Sequence, residues 1–304
     1  MRIIVTGKSG QIVTALRRKA ERDLIVPIGR PEFDLQYPQD ALTLLSSLQP
    51  DALISAAAFT AVDRAENETR AALAINAEAP GHLAAAAAEL GVPIVHISTD
   101  YIFDGRKLAP YVETDLSSPM SVYGVTKLAG ERAVAAANRN HAILRTAWVY
   151  SPYGNNFLKT MLRLAAERQV IRVVNDQIGN PTSALDIADG LLRVVHNLVS
   201  NPHDAKMRGI FHMTASGQAS WADFAREIMA TSAALGGAYA QIVPISSEEY
   251  PTPALRPANS CLDSARLSQV HQVSLPNWRA SARAVVAELI CRAEATDQYG
   301  SREG

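Results

Sequence analysis

The sequence predicts an α/β fold, a Rossmann-type doubly wound parallel sheet with a smaller α/β substrate-binding domain, and three observations carry that reading. Short apolar runs alternate with helix-length segments up to Trp148, a glycine turn (Gly7-Lys8-Ser9-Gly10) follows the first run directly, and beyond Trp148 the alternation loosens into loop-rich sequence. Strand and helix in alternation give a parallel sheet through right-handed crossovers. At 304 residues, 48% of them hydrophobic, the chain is long enough for one such domain and a smaller companion.

In order, strands are predicted at Ile3–Thr6, Leu24–Ile28, Ala52–Ala57, Ile94–Ser98 and Ala142–Thr146, each a short apolar run. Helices are predicted between them at Gln11–Arg22, Pro38–Leu48, Glu68–Leu90 and Ser121–Asn138. The alanine run Ala84–Ala88 reads as a helix packed closely on the sheet, since alanine is the best helix former. Gly91 and Pro93 end that helix. Beyond the loop Ser151–Asn156 come an amphipathic helix at Phe157–Arg168 and a strand at Val170–Val174. The domain division is 1–150 for the dinucleotide-binding part, with returning segments near 170–195, then 151–292 for most of the substrate-binding part. Residues 293–304 are polar without apolar periodicity and read as a flexible tail.

Composition narrows the function. The net charge is −1 from 29 basic and 30 acidic side chains, so no basic footprint for nucleic acid and no charged membrane-binding face is present. Cys261 and Cys291 have neither metal nor redox spacing, and the seven histidines show no metal-binding pattern. With no leader-like or membrane-spanning run, the chain reads as a soluble, cytoplasmic protein acting on a small molecule.

The chemistry gathers at three places. A glycine turn between strand and helix presents backbone N–H groups and a helix N-terminus to a pyrophosphate, so Gly7 and Gly10 are the expected cofactor loop. Val13 stands where a third glycine normally packs helix on strand. Arg30, past the second strand, favours an adenosine 2′-phosphate and hence NADP over NAD, with Asp34 a second candidate at the adenosine end. Tyr123 and Lys127 lie four apart on one helix face, where an ammonium would pull the tyrosine down from its ordinary pKa of about 10 toward working pH. Ser98-Thr99-Asp100 ends the fourth strand, at the sheet edge where ligands bind; Thr99 would hydrogen-bond the reacting oxygen and Asp100 a sugar hydroxyl. Taken singly, these features are also explained by a tight turn, an exposed helix pair and a cap.

Together with Ser55–Glu66, Ile75-Asn76-Ala77, Ser98–Gly105, Tyr123–Glu131, Arg145–Tyr150, Asp176–Thr182 and Arg256-Pro257, they make the chain resemble the extended short-chain dehydrogenase/reductases that act on nucleotide sugars. The resemblance implies that Tyr123, Lys127 and Thr99 are catalytic. It implies that Gln11, Ile12, Asp34, Leu35, Ala58, Phe59 and Thr60 line the dinucleotide beside the glycines, and that Thr99, Asp100, Trp148, Asn156, Gln177 and Arg256 meet the substrate. The expected reaction is NADPH-dependent reduction, with NADH the alternative cofactor, of the C4 keto group of dTDP-4-dehydro-6-deoxy-L-mannose. A dTDP-sugar is thus the expected partner, in a homodimer. Magnesium accompanies some relatives, yet no metal-ligand cluster is visible. Three departures stand out: Val13, which would crowd the loop, Phe59 where histidine or tyrosine is common, and Cys261 where a basic residue is expected. The alternatives are a reductase or epimerase of another nucleotide sugar and a non-catalytic NADP-binding regulatory subunit.

Overall fold

The computed structural model describes residues 1–300. Five strands, β1 (Arg2–Thr6), β2 (Leu24–Ile28), β3 (Ala52–Ser55), β4 (Ile94–Thr99) and β5 (His141–Thr146), join a later strand, Gly209–His212, in one six-stranded parallel sheet. From edge to edge the order is 209–212, β5, β4, β3, β1, β2. The period of two sorts its side chains: Ile3, Val5, Ile54 and Val95 enter one core layer, and Ile4, Leu53, Ile94 and Ile143 the other. Both faces are covered, as an all-parallel sheet requires.

The helices are α1 (Gln11–Lys19), α2 (Ala41–Leu48), α3 (Val62–Ala65), α4 (Thr69–Leu73), α5 (Ala79–Glu89), α6 (Val122–Ala137), α7 (Phe157–Glu167), α8 (Ala184–Ser200), α9 (Trp221–Ala234), α10 (Ala265–His271) and α11 (Trp278–Gly300). α1 and α8 cover the first sheet face; α2, α5 and α6 cover the other. A second core gathers α7, α9 and α11 around Tyr150, Phe224 and Trp278, beside the parallel pair Val170–Val174 and Gln241–Ile245.

Three expectations change. The helix expected over 68–90 is interrupted by a π turn, Ala74–Glu78. There Asn76 turns inward, its Oδ1 accepting from Phe59 N at 2.8 Å while its Nδ2 donates to Phe59 O and Thr126 Oγ1. The return to the sheet comes at α8 and 209–212, whereas 170–174 pairs within the second unit. The stretch read as a tail continues α11 as far as Gly300, because a helix nucleated by packing at Trp278 extends one hydrogen bond at a time. Residues 301–304 of that expected tail lie outside the described residues.

Candidate active site

The glycine turn is built by its neighbours. Gly7 has φ +98°, and its N–H donates to Ile28 O at 2.7 Å. A Cβ at Gly7 would lie 3.3 Å from the Ala57 side chain and 3.5 Å from a Val13 methyl. Thr6 Oγ1 accepts from Ala56 N and Ala57 N, both at 3.0 Å, and so fastens the β3 exit beside the turn. Val13 is 2% exposed and belongs to the core between α1 and β1. It supports the turn from beneath as well as bordering the cavity.

At the other end, Ser121 caps α6 by accepting from Gly124 N at 3.2 Å, and Glu66 accepts from Val122 N at 2.9 Å. Gly124 is needed there, since a Cβ would fall 2.2 Å from Tyr101 O. That close approach sets the first turn of α6 against the segment after β4, where the Tyr123 hydroxyl reaches the Thr99 side chain and its ring meets Tyr101 edge-on.

Lys127 is buried, its Nζ donating to Ile97 O at 2.6 Å and lying 3.3 Å from His96 Nε2. Burial lowers the ammonium to about 8, against the opposing pull of Glu131. Tyr123 moves opposite to expectation: burial pushes its phenol up to about 12, with the Thr99 hydrogen bond pulling the other way. Desolvation exceeds any lowering by the lysine, whose assigned hydrogen bonds run to β4 rather than to the phenol. Below them Arg145 pairs with Glu131 twice, at 2.9 and 2.7 Å, and Ser98 Oγ donates to the same carboxylate.

One cavity of about 660 Å³ joins these groups: Gly7, Gly10, Gln11, Ile12, Ala58 and Thr60 line it toward α1, and Thr99, Asp100, Tyr123, Lys127 and Trp148 toward β4 and β5. Asp100 Oδ1 accepts from Thr99 Oγ1 at 3.0 Å, and burial raises the carboxyl to about 6 against the hydrogen bonds of Ser260 and Thr99. Trp148 holds φ +48° and stacks on Trp221, centroids 3.6 Å apart and planes 3° from parallel. Gly179 makes room for it, since a Cβ there would lie 2.4 Å from the indole.

Gln177 and Arg256 line a second cavity of about 700 Å³, and Trp221 borders both. Arg256 Nη2 donates to Asp63 Oδ2 at 2.8 Å, and the guanidinium also reaches the Tyr101 hydroxyl. Five expected residues line neither cavity. Arg30 is exposed past β2, Asp34 accepts from the Gln36 amide, and Leu35 packs against the sheet core. Phe59 has its backbone held by Asn76 and its ring beneath Arg64. Asn156 caps α7 and bonds Gln11 Oε1 and Ser151 O, so its amide is fully engaged. Its neighbour Asn155 lines the first cavity instead.

Sequence reasoning overlooked Lys8, Trp221 and Asp63. Lys8 lines the first cavity and pairs with Glu32, and only its place inside the glycine turn hinted at this. Asp63 lies in the stretch Ser55–Glu66, where nothing marks it out from its neighbours, and Trp221 falls in the loop-rich sequence beyond Trp148. Among the described residues no group of three or more His, Cys, Asp or Glu is placed to hold a metal ion, and no helix is long and apolar enough to cross a membrane.

A doubly wound sheet with a glycine turn after β1, and a tyrosine and lysine one helical turn apart at its carboxyl edge, is the framework of a Rossmann-type oxidoreductase. Comparison with known proteins is more specific. The family described as RmlD substrate binding domain matches residues 1–291. The chain is 48% identical to a dTDP-4-dehydrorhamnose reductase of Sinorhizobium fredii, across 95% of this chain and 98% of that one. It is 38% identical to that of Salmonella typhimurium, across 95% and 98%. Among solved structures, a dTDP-4-dehydrorhamnose reductase of Clostridium acetobutylicum superposes with TM-score 0.88 at 36% identity, covering 95% of this chain and 99% of that one. One from Bacillus anthracis, in complex with NADP, superposes with TM-score 0.87 at 32% identity, covering 94% and 99%. The chain belongs to the dTDP-4-dehydrorhamnose reductase family.

Proposed function

We propose that this protein reduces the C4 keto group of dTDP-4-dehydro-6-deoxy-L-mannose with NADPH, giving dTDP-L-rhamnose. The observation that carries the reading is the meeting of Thr99, Tyr123 and Lys127 in the same cavity as the glycine turn. The turn suits a dinucleotide on its own geometry. Gly7 and Gly10 line the cavity, and α1 begins at Gly10 without a side-chain cap on its N–H groups, which leaves them for a pyrophosphate. The NADP bound in the Bacillus anthracis reductase supports NADPH as the cofactor.

NADPH, when bound, supplies the hydride. Tyr123 offers its hydroxyl to the keto oxygen, Thr99 would add a second donor on turning its proton away from Asp100 Oδ1, and the raised pKa keeps Tyr123 protonated, as an acid must be. As the carbonyl carbon gains the hydride, the C=O π bond opens to an alkoxide and the Tyr123 proton moves to that oxygen. The phenolate left behind sits one helical turn from the Lys127 ammonium, which stabilises it until solvent returns the proton. Asp100, beside Thr99 and Ser260, would accept from a sugar hydroxyl, Trp148 and Trp221 form a flat apolar wall, and Arg256, which lines the second cavity between Asp63 and Tyr101, would meet a diphosphate. We further propose a homodimer, to be checked by sedimentation.

Turnover of the purified protein is the test. NADPH oxidation should require the dTDP-sugar and fall by roughly 100-fold or more in Tyr123→Phe, with NADPH binding retained. Absence of turnover in the unmodified protein, or equal rates in the variant, would refute the reading.

A further inference from the structure

The catalytic helix carries a carboxylate where Lys127 would ordinarily find its partner. Glu131 is four residues on, the spacing at which lysine and glutamate pair on a helix. Arg145 instead takes both Glu131 oxygens, and Ser98 adds a donor to one of them. The Lys127 ammonium turns to β4, where Ile97 O accepts one N–H and His96 lies 3.3 Å away. An ammonium has three donors and no acceptor, so His96 must accept through Nε2. Its proton is then on Nδ1, which donates to Ser55 Oγ at 3.1 Å. Ser55, His96 and Lys127 are 2%, 0% and 2% exposed, so water does not compete for these contacts.

We propose that His96 is a positioning residue for Lys127: oriented by Ser55, its neutral imidazole fixes one ammonium N–H, Ile97 O fixes another, and the third is left for the cavity. A carboxylate in that place would hold the ammonium equally well but cancel its charge. A neutral acceptor holds it and leaves the full charge to act on Tyr123. Burial, and then Lys127 itself, keep the imidazole uncharged, well below the usual histidine range. The groups facing the pair are Glu131 on α6, with Arg145 on β5 behind it, and His141 near the imidazole, while Tyr123 and Asp100 line the same cavity as Lys127. This assignment rests on the reductase reading for its catalytic meaning, but its geometry is testable without turnover.

The experiment follows the Lys127 side chain by NMR in ¹³Cε-lysine-labelled protein, assigned with Lys127→Arg, alongside kcat against pH. In His96→Leu the ammonium loses a neutral acceptor, so Lys127 should titrate at least about half a pH unit lower. The alkaline limb of kcat should move the same way, and kcat should fall roughly tenfold. His96→Gln, whose amide can accept from Lys127 and donate to Ser55, should restore both. Ser55→Ala should give a smaller displacement of the same sign, and it decides the matter if His96→Leu does not fold. An unchanged Lys127 titration in these variants, or a His96→Gln variant as displaced as His96→Leu, overturns the proposal. Missing turnover in the unmodified protein would instead refute the reductase reading, and the NMR titration would still stand.

Discussion

Replacing Arg145 with methionine probes the energetics beneath the active site. The Arg145 and Glu131 side chains are each 3% exposed and share two hydrogen bonds, and the guanidinium also lies 5.4 Å from the centre of the Phe103 ring. Methionine fills most of the volume but leaves the Glu131 carboxylate buried with Ser98 as its remaining assigned donor. Removing one member of a buried ion pair costs about 3–5 kcal/mol, whereas replacing both with apolar groups is often neutral. Unfolding entropy of about 2.1 cal/mol/K per residue over 304 residues is about 0.6 kcal/mol/K, so Arg145→Met should lower Tm by about 5–8 °C. Arg145→Met/Glu131→Leu should recover most of that loss, since no charge is then left unpaired. Calorimetry of the wild type, both single variants and the double variant closes the cycle. A single-variant drop below about 2 °C, or a double variant no better than the singles, would show that the pair is not the stabilising unit the geometry describes.

Further outcomes are expected. Val13→Gly empties a core position and puts glycine in a helix, so it should lose about 2–4 kcal/mol in urea unfolding without tightening NADPH binding; a tighter complex at full stability would show that the valine crowds the loop instead. Trp221→Ala removes the partner stacked on Trp148 and should raise KM for the dTDP-sugar by about 3–10-fold, with NADPH binding unchanged in a fluorescence titration. Turnover should fall below about pH 6 as Asp100 gains a proton and above about pH 8 as Lys127 loses one, and Asp100→Asn should remove the acid limb from the rate profile. Buried His212 and His271 are held near 3 and 4, below the ordinary 6.5, so the unfolded chain takes up protons first on acidification. Their neutral forms are compatible with full stability above about pH 6.5, and stability should decline from there toward pH 3–4, more shallowly in His271→Leu.

The parallel sheet was legible because β1 to β5 are short apolar runs separated by crossover-length segments, and the pattern needs no knowledge of distant partners. The edge strand 209–212 was not, since Gly209-Ile210-Phe211-His212 sits among loops and becomes a strand by pairing with β5. The π turn at 74–78 was hidden for a similar reason: Asn76 bonds Phe59 and Thr126, which only the fold brings near. Tyr123 and Lys127 could be read because helical spacing is local, whereas the direction of the Tyr123 shift depends on burial, which spacing does not report. Asn156 shows the converse limit. A polar side chain in a loop beside the site resembles a substrate ligand until its amide is found capping α7 and holding Gln11. Trp221, at the start of α9, belongs to no motif, and only the fold brings it against Trp148.

The stacked indoles also give the protein an optical property. Of three tryptophans, two are face to face at the junction of the cavities, and the third, Trp278, is buried in the second core. Intrinsic emission therefore divides into a signal from the junction and a constant background. A ligand that parts or shields the pair changes the first and leaves the second, so occupancy can be followed in unlabelled protein, with Trp221→Ala separating the change carried by the stack from that of Trp148 alone.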